Sequence, residues 1–150
     1  CSIIFSPARA GLNIIEQDGL QATFTAPCSS GYDGLNNYSA VVKIRYGSTS
    51  FLLTGDAEDL SEKEMLASGA DLQADVLKVG HHGSSSSTTP AFLKSVSPEY
   101  AVILVGAAND YGHPHQETLD NLADAGVMVH RTDQEGTIIF VSDGLSVKKS

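Results

Sequence analysis

Asp56 and His81 are the two residues whose types and positions most directly suggest chemistry. Asp56 directly follows the apolar run SFLLTG, and His81 directly follows the apolar run DVLKVG. If both runs are strands of one sheet, folding can bring the two side chains together at the same edge. A carboxylate can bridge two divalent ions, and a neutral imidazole can bind one of them at about 2.0 to 2.2 Å. The pattern therefore predicts a metal site, with a helix N-cap as the alternative role of Asp56.

His81 and His82 lie between Gly80 and Gly83, at the start of a serine run. A core histidine normally lies among apolar neighbours, so these surroundings favour a functional role, with a solvated loop as the alternative. Adjacent residues on a turn cannot easily bind one ion with the same geometry. We expect one of the two to be a ligand and the other a neighbour. The position directly after the glycine favours His81, and His82 remains the alternative.

A second histidine cluster is found in the segment YGHPH, at 111 to 115. It lies between a predicted buried strand that ends at Gly106 and a predicted helix that begins near Gln116. His113 and His115 could bind a substrate oxygen, protonate a leaving group or cap the helix, with Pro114 in its first turn. For His113 a catalytic role and capping both remain open, whereas capping is favoured for His115, with substrate binding as its functional alternative.

Other polar residues are predicted to be structural. His130 lies inside the alternating run VMVHRT and is expected to be a half-buried strand residue. The cysteines, Cys1 and Cys28, are too few for a disulfide framework and do not form a CxxC pair. An acidic run is expected to be the solvated face of a helix, and it consists of Glu58, Asp59, Glu62 and Glu64.

Composition and absent motifs exclude several classes of function. The formal net charge of −9 is unfavourable for a long electrostatic footprint on nucleic acid, so no stable footprint is expected. If the substrate is a phosphodiester, a metal ion must supply the local positive charge. The sequence contains no GxSxG elbow, no GxxxxGK[ST] phosphate loop and no GxGxxG fingerprint. No run is long and apolar enough for a membrane helix, and no signal peptide is recognisable in these residues.

The hydrophobic pattern predicts one α/β domain over residues 1–150, with strands first and then alternating helices and strands. LNIIEQ and LQATFTAP are predicted strands, and YSAVVKIRYG and STSFLLTG a hairpin that turns at Gly47 and Ser48. A helix is predicted within 56–68, where Ser61 and Glu64 resemble a capping box. Three later segments are predicted strands: ADVLKVG, YAVILVG and VMVHRT. Two helices are predicted between them, TTPAFLKSV and HQETLDNLADAG. GTIIFVSDG and LSVKKS are predicted to form a final hairpin.

Four motifs together resemble the C-terminal half of a metallo-β-lactamase-fold domain. They are NNYSAVVKIRYGSTSFLLTGDAE, ADVLKVGHHGSSSS, YGHPHQETLDNLADAG and RTDQEGTI, and they cover about residues 36–142. The sequence resembles the soluble domain of the ComEC family of bacterial DNA-uptake channels. The resemblance implies an αββα sandwich, of which this chain is the C-terminal half with extra N-terminal strands.

The resemblance also implies a site at the shared edge of two sheets, where one or two divalent ions, zinc or manganese, activate a water for hydrolysis. Asp56 matches the bridging aspartate of the family, His81 or His82 the late metal histidine, and His113 the histidine of the GHPH signature. The implied function is a metal-dependent phosphodiesterase or nuclease of competence DNA uptake. Hydrolysis of small phosphoesters or other esters, and a non-catalytic partner-binding module, are the alternatives.

One departure from the family pattern is large. The family's HxHxDH motif belongs to the N-terminal half, and this sequence does not contain it; all five histidines lie at or after position 81. Since catalytic metal sites normally use three protein ligands, we predict weak or absent metal binding and no turnover by this chain alone. The expected partners are the missing N-terminal half, a membrane channel segment of the parent protein, and DNA or another phosphoester. The parent is expected to be membrane-associated, with this domain on the extracytoplasmic face.

Overall fold

The computed structural model describes residues 8–150, and a mixed sheet of seven strands dominates them. The strands follow one another across the sheet in chain order. The first four are antiparallel and the last four are parallel to one another. They are β1 (Asn13–Gln17), β2 (Leu20–Ala26), β3 (Val41–Tyr46), β4 (Thr49–Leu53), β5 (Val76–Lys78), β6 (Tyr100–Ile103) and β7 (Met128–Arg131).

Helices connect the parallel strands, as such strands require. They are α1 (Asp59–Ser68), α2 (Pro90–Val96) and α3 (Gln116–Asp124), followed by the short α4 (Thr132–Glu135). The chain ends in a separate hairpin of β8 (Phe140–Ser142) and β9 (Val147–Lys149). The predicted α/β class, the β3–β4 hairpin and the final hairpin are confirmed. The predictions for Cys1 lie outside the described residues.

One side of the main sheet carries the core. Leu52 and Leu77, from the central strands β4 and β5, are fully buried there with Ile103 from β6. Met65 of α1 and Phe92 of α2 pack against them. Burying each side chain of this size stabilises the fold by roughly 1.5 to 3 kcal/mol, so this layer fixes where the strand ends lie.

The other side of the main sheet is covered only in part. The pairing register places Val42, Leu53 and Lys78 side by side on it. The β8–β9 hairpin packs on the same side, with the rings of Phe140 and Tyr100 5.1 Å apart. Beyond the hairpin, apolar side chains on this side remain in contact with solvent: Leu53 is 39% exposed.

Helix α1 lies within the predicted range of 56–68, but the alternative role of Asp56 as its N-cap is wrong. The helix begins at Asp59 with Glu58 as its N-cap, so Asp56 does not cap it. The predicted capping box does not form, because Glu58 occupies the cap position and Ser61 lies inside the helix. The Ser61 hydroxyl is buried and has no hydrogen-bond partner within the described part of the chain.

The prediction that the acidic run is solvated holds only for Asp59, which forms an exposed pair with Lys63. Glu62 is 2% exposed, and its carboxylate accepts the backbone N–H groups of Thr88 and Thr89 at the start of α2. Burial raises the pKa of Glu62, and these hydrogen bonds oppose that rise. The Tyr32 hydroxyl donates to Glu64. The acidic run therefore contacts the segment around Tyr32 and the start of α2 as well as solvent.

Candidate metal site

Asp56 lies in the turn that follows β4. Gly55 before it has φ of +56°, and the Asp56 backbone N–H donates to the Ser39 hydroxyl at 3.0 Å. A Cβ on Gly55 would lie 3.1 Å from the Ser39 Cβ, so the close approach of the two segments favours glycine. These contacts hold the turn that carries the Asp56 carboxylate in a fixed position next to the end of β4.

His81 and His82 both have left-handed backbone conformations, with φ of 45° and 56°. Each such residue costs roughly 1 to 2 kcal/mol when it is not glycine, and residues of this kind cluster at functional sites. The His81 backbone N–H donates to the Gly55 carbonyl at 3.1 Å, which ties the two turns together. Gly83 closes the turn, where a Cβ would lie 2.6 Å from the Cβ of Pro114. The spacing of the glycines in GHHG is therefore a steric requirement.

His82 faces Asp56. Its Nδ1 lies 2.6 Å from the Leu104 carbonyl oxygen, which can only accept, so Nδ1 carries the proton of a neutral ring. Its Nε2 then presents a lone pair, and that atom lies 3.5 Å from Asp56 Oδ1. The side chains of His82 and Asp56 are 46% and 42% exposed, so both are accessible from solvent.

His81 is directed toward other partners. Its Nδ1 lies 3.3 Å from Glu58 Oε1 and 3.3 Å from the Ser86 hydroxyl. Glu58 is held in turn by the Asn36 amide, which donates to it at 3.2 Å. A carboxylate hydrogen-bonded to one ring nitrogen fixes the orientation of an imidazole and leaves its other nitrogen available to a ligand.

His113 lies beside these histidines, with its ring centroid 5.6 Å from that of His81. Burial lowers the pKa of His113, and the neighbouring His115, His81 and His82 lower it further, while Asp56 acts in the opposite direction. The lowered pKa favours the neutral ring of His113. We call the set of Asp56, His81, His82 and His113 the histidine edge.

His115 occupies the N-cap position of α3, but its side chain forms no cap hydrogen bond. Its Nδ1 instead accepts the Ser85 backbone N–H at 3.0 Å, which fastens the serine loop to the YGHPH segment. The predicted capping role is therefore confirmed for the position of His115, although its ring accepts from the serine loop and not from the first turn of α3. Its role in substrate binding stays a prediction. His130 lies apart from the histidine edge in β7, with a side chain 19% exposed, as expected for a half-buried strand residue.

Two polar residues of this region were not singled out in the sequence. Glu58 was assigned to a solvated helix face, although its position two residues after Asp56 could have connected it with the site. Lys78 was treated only as part of a strand. Its ammonium donates to the Gly55 carbonyl at 2.6 Å, directly beneath the Asp56 turn. Burial lowers the pKa of Lys78, and the charge of Asp56 opposes this.

The donors fit part of a metal centre. Two ligands of one tetrahedral zinc ion lie about 3.4 Å apart, since each bond is about 2.1 Å long. The 3.5 Å between Asp56 Oδ1 and His82 Nε2 agrees with that spacing. Within residues 8–150, however, no group of three or more histidine, cysteine, aspartate or glutamate side chains is arranged to hold an ion. The same residues contain no helix with the length and hydropathy of a membrane span.

Comparison with known proteins supports the resemblance found in the sequence. The family model of the metallo-beta-lactamase superfamily matches residues 18–107, which include Asp56, His81 and His82 but end before His113. ComE operon protein 3 of Bacillus subtilis is 40% identical over 128 residues, covering 85% of this chain and 16% of that protein.

Two further relatives are also competence or recombination proteins by name. Competence protein ComA of Neisseria gonorrhoeae is 36% identical over 124 residues, covering 82% of this chain and 18% of that protein. Recombination protein 2 of Haemophilus influenzae is 34% identical over 117 residues, covering 77% of this chain and 15% of that protein. The chain thus spans less than a fifth of the length of the relatives it matches. It belongs to the metallo-β-lactamase superfamily, with its similarity to the ComEC family of competence proteins extending over most of its length.

Proposed function

We propose that this chain supplies part of the metal centre of a phosphodiester hydrolase, with Asp56 and His82 as its metal ligands. The observation that carries the proposal is the arrangement of their donor atoms. A carboxylate oxygen and an unprotonated ring nitrogen face each other at 3.5 Å. Both atoms present lone pairs, so a cation bound between them would remove their electrostatic repulsion. A proton on Nε2 would be the simplest such cation, but charge-assisted hydrogen bonds of this kind are about 2.7 to 2.9 Å long.

The other residues of the histidine edge have supporting roles in this proposal. Glu58 holds the ring of His81 so that its second nitrogen can act as a further ligand. His113, neutral because its pKa is lowered, can donate one N–H to the oxygen of a leaving group. A divalent zinc or manganese ion held at this edge would supply Lewis acidity toward the phosphoester and lower the pKa of water.

We propose that the remaining ligands come from the HxHxDH half of the domain and that this half packs on the open side of the main sheet. Leu53 supports this location, because it is 39% exposed and lies on the side opposite to α1, α2 and α3. A non-catalytic partner-binding module is the second candidate function, and the same exposed face favours it. Light scattering separates a self-associating module from a half-domain, since a clean monomer would count against the former.

Competence proteins among the relatives support DNA as the substrate in the parent protein. The net charge of −9 argues for brief contact centred on the metal rather than for a long footprint. A membrane channel segment as partner and an extracytoplasmic position of this domain belong to the same proposal. A small phosphoester or another ester remains the alternative substrate, because a fold does not fix its substrate.

Calorimetric titration with zinc and manganese, of the chain combined with an HxHxDH-containing segment from a relative, tests the ligand assignment. We expect Asp56→Ala and His82→Ala to abolish or strongly weaken binding, and His130→Gln to leave it unchanged because His130 lies outside the histidine edge. Comparison with His81→Ala then distinguishes the two adjacent histidines. Equal metal affinity in the wild-type chain and in Asp56→Ala would remove the proposal.

Activity is best assayed with the chain alone and with the chain combined with an HxHxDH-containing segment from a relative. Single-stranded DNA and a small phosphodiester would be offered in parallel, each with manganese or zinc. We expect turnover only in the combined sample and only with Asp56 intact. Cleavage of DNA in preference to the small diester would favour the nuclease, and the reverse would favour the alternative substrate.

A further inference from the structure

A cleft of about 370 Å³ adjoins the histidine edge and shares His82 and His113 with it. Its walls also include Leu104, Tyr111 and Thr132. The volume is within the range of roughly 300 to 1,000 Å³ that is usual for small-molecule sites. A group that occupies this cleft therefore touches a proposed metal ligand.

Tyr111 lines the cleft with an aromatic ring that is largely exposed to solvent. It is 79% exposed, compared with 43% for Tyr38 and 40% for Tyr46. Its ring stacks on that of His113, with centroids 5.7 Å apart and planes inclined by 23°. His113 is the one aromatic ring that stacks on Tyr111 among residues 8–150. The second face of the tyrosine ring is thus available to another flat ring.

The loop holds this exposed ring in a defined place. The Asn109 side-chain oxygen accepts the backbone N–H groups of Tyr111 at 3.2 Å and His113 at 3.0 Å. The Asn109 amide nitrogen donates to the carbonyls of Gly106 at 3.1 Å and His113 at 2.7 Å. All four hydrogen-bonding positions of one side chain are therefore used within the loop. A loop built in this way presents Tyr111 at low entropic cost to a ligand.

We infer that Tyr111 is a stacking platform for an unpaired nucleobase, next to the phosphate that binds at Asp56 and His82. This inference rests on the proposed function and extends it by naming Tyr111 as the residue that binds an unpaired base of the nucleic-acid substrate. Bases in a duplex are already stacked on both faces, whereas an unpaired base can stack on an aromatic side chain. Leu104, 43% exposed, gives the same cleft an apolar wall that suits a ring.

Stacking also accounts for how so acidic a chain could bind nucleic acid. The usual electrostatic contribution requires many lysines and arginines along the backbone, and the net charge of −9 does not provide it. Contact between aromatic faces needs no basic side chain and tolerates any base. Stacking of one nucleotide beside the scissile phosphate therefore adds affinity that does not depend on basic side chains.

The test compares a short single-stranded thymidine oligonucleotide with an abasic oligonucleotide of the same length. Binding to the chain is measured by NMR titration without added metal. We expect the base-containing strand to bind about five- to a hundredfold more tightly, which is the range that stacking of one base provides. Tyr111→Ala should remove this preference, and Tyr111→Phe should retain it because the ring is kept.

Leu145→Ala is the matched control, because Leu145 is 84% exposed and lies beside the β3–β4 turn, away from the cleft. Equal or undetectable binding of the two oligonucleotides by the wild-type chain would overturn the inference, and so would an unchanged preference in Tyr111→Ala. Metal-dependent cleavage of the abasic strand reports on the hydrolase alone. Cleavage without base preference would therefore leave the proposed function intact while rejecting the platform.

Discussion

Residues 8–150 contain three histidine–carboxylate pairs, and two of them, His82 with Asp56 and His130 with Glu135, have different surroundings. At the histidine edge, Nε2 of His82 lies 3.5 Å from Asp56 Oδ1, and within residues 8–150 no lysine or arginine forms a salt bridge with Asp56. In the second cluster, Nδ1 of His130 lies 3.0 Å from Glu135, and the ammonium of Lys149 donates to the same carboxylate. We call His130, Glu135 and Lys149 the hairpin cluster, because Lys149 belongs to β9.

The difference separates a structural site from a functional one. In the hairpin cluster the chain itself supplies the positive charge, and the hydrogen bonds from Lys149 and His130 lower the pKa of Glu135 to about 2. At the histidine edge the nearest buried ammonium, that of Lys78, donates to the Gly55 carbonyl instead of to Asp56. The donors there remain available to a cation from outside the chain, whereas those of the hairpin cluster are already satisfied.

Substitution of Asp56 is expected to have the largest effect on the difference between the histidine edge and the hairpin cluster. Zinc that binds only the folded chain stabilises it by about 2.7 kcal/mol at a free concentration one hundred times its dissociation constant. In the chain combined with an HxHxDH-containing segment from a relative, we expect Asp56→Asn to lose more than a hundredfold in zinc affinity and with it this stabilisation, since even loss of a residue behind a ligand costs 10- to 100-fold.

Thermal unfolding with and without zinc provides the measurement. Glu135→Gln is the matched control, because it removes one carboxylate charge from the hairpin cluster and should keep the zinc effect. If both variants responded to zinc like the wild-type chain, the two pairs would not differ in the proposed way.

Glu62 tests whether the scaffold beneath the histidine edge is rigid. Its buried carboxylate accepts the N–H groups of Thr88 and Thr89, at the end of the loop that begins with GHHG. We expect Glu62→Ala to lower the free energy of unfolding by about 2 to 3 kcal/mol, because two buried donors lose their acceptor. Urea titration measures the effect. Glu117→Ala, on the exposed first turn of α3, should cost less than about 1 kcal/mol, and equal losses would contradict the assignment.

Substitution of Glu58 tests whether His81 takes part in metal binding at the histidine edge. If Glu58 orients His81 as a ligand, Glu58→Ala should weaken zinc binding about tenfold through the loss of this supporting hydrogen bond. Calorimetry at fixed pH gives the affinity. Ser86→Ala, which removes the weaker neutral partner of the same nitrogen, should have a smaller effect. An unchanged affinity in Glu58→Ala would leave Asp56 and His82 as the chain's ligands.

Much of the site could be predicted from the sequence, because its determinants are local. Apolar runs that end in a glycine mark strand ends, and the polar residues that follow parallel strands meet at one edge. The structure places Asp56, His81, His82 and His113 near one another at that edge. The choice between His81 and His82 could not be predicted in the same way. It depends on two left-handed backbone conformations and on the distant carbonyl of Leu104, which sequence spacing does not reveal.

The acidic run shows a second limit of sequence reasoning. A helical pattern identifies which residues share a face, but it does not identify what lies opposite that face. Glu62 faces two backbone N–H groups at the start of α2, and Glu58 faces His81 across a turn. Both contacts join segments more than twenty positions apart in the sequence. The helical pattern therefore did not predict that the Glu62 carboxylate is buried, because a tertiary contact takes the place of water there.

The smallest effect is expected for Glu135, through the pH dependence of stability. Its pKa falls from the usual 4.5 to about 2 in the folded chain, so its ionised form stabilises the fold. This contribution is present above about pH 4.5 and is lost as the pH falls toward about 2. Glu135→Gln should therefore lower the melting temperature slightly at neutral pH, and the difference from wild type should shrink across that acidic window. A difference that persisted at pH 2 would mean that Glu135 contributes packing rather than charge to the hairpin cluster.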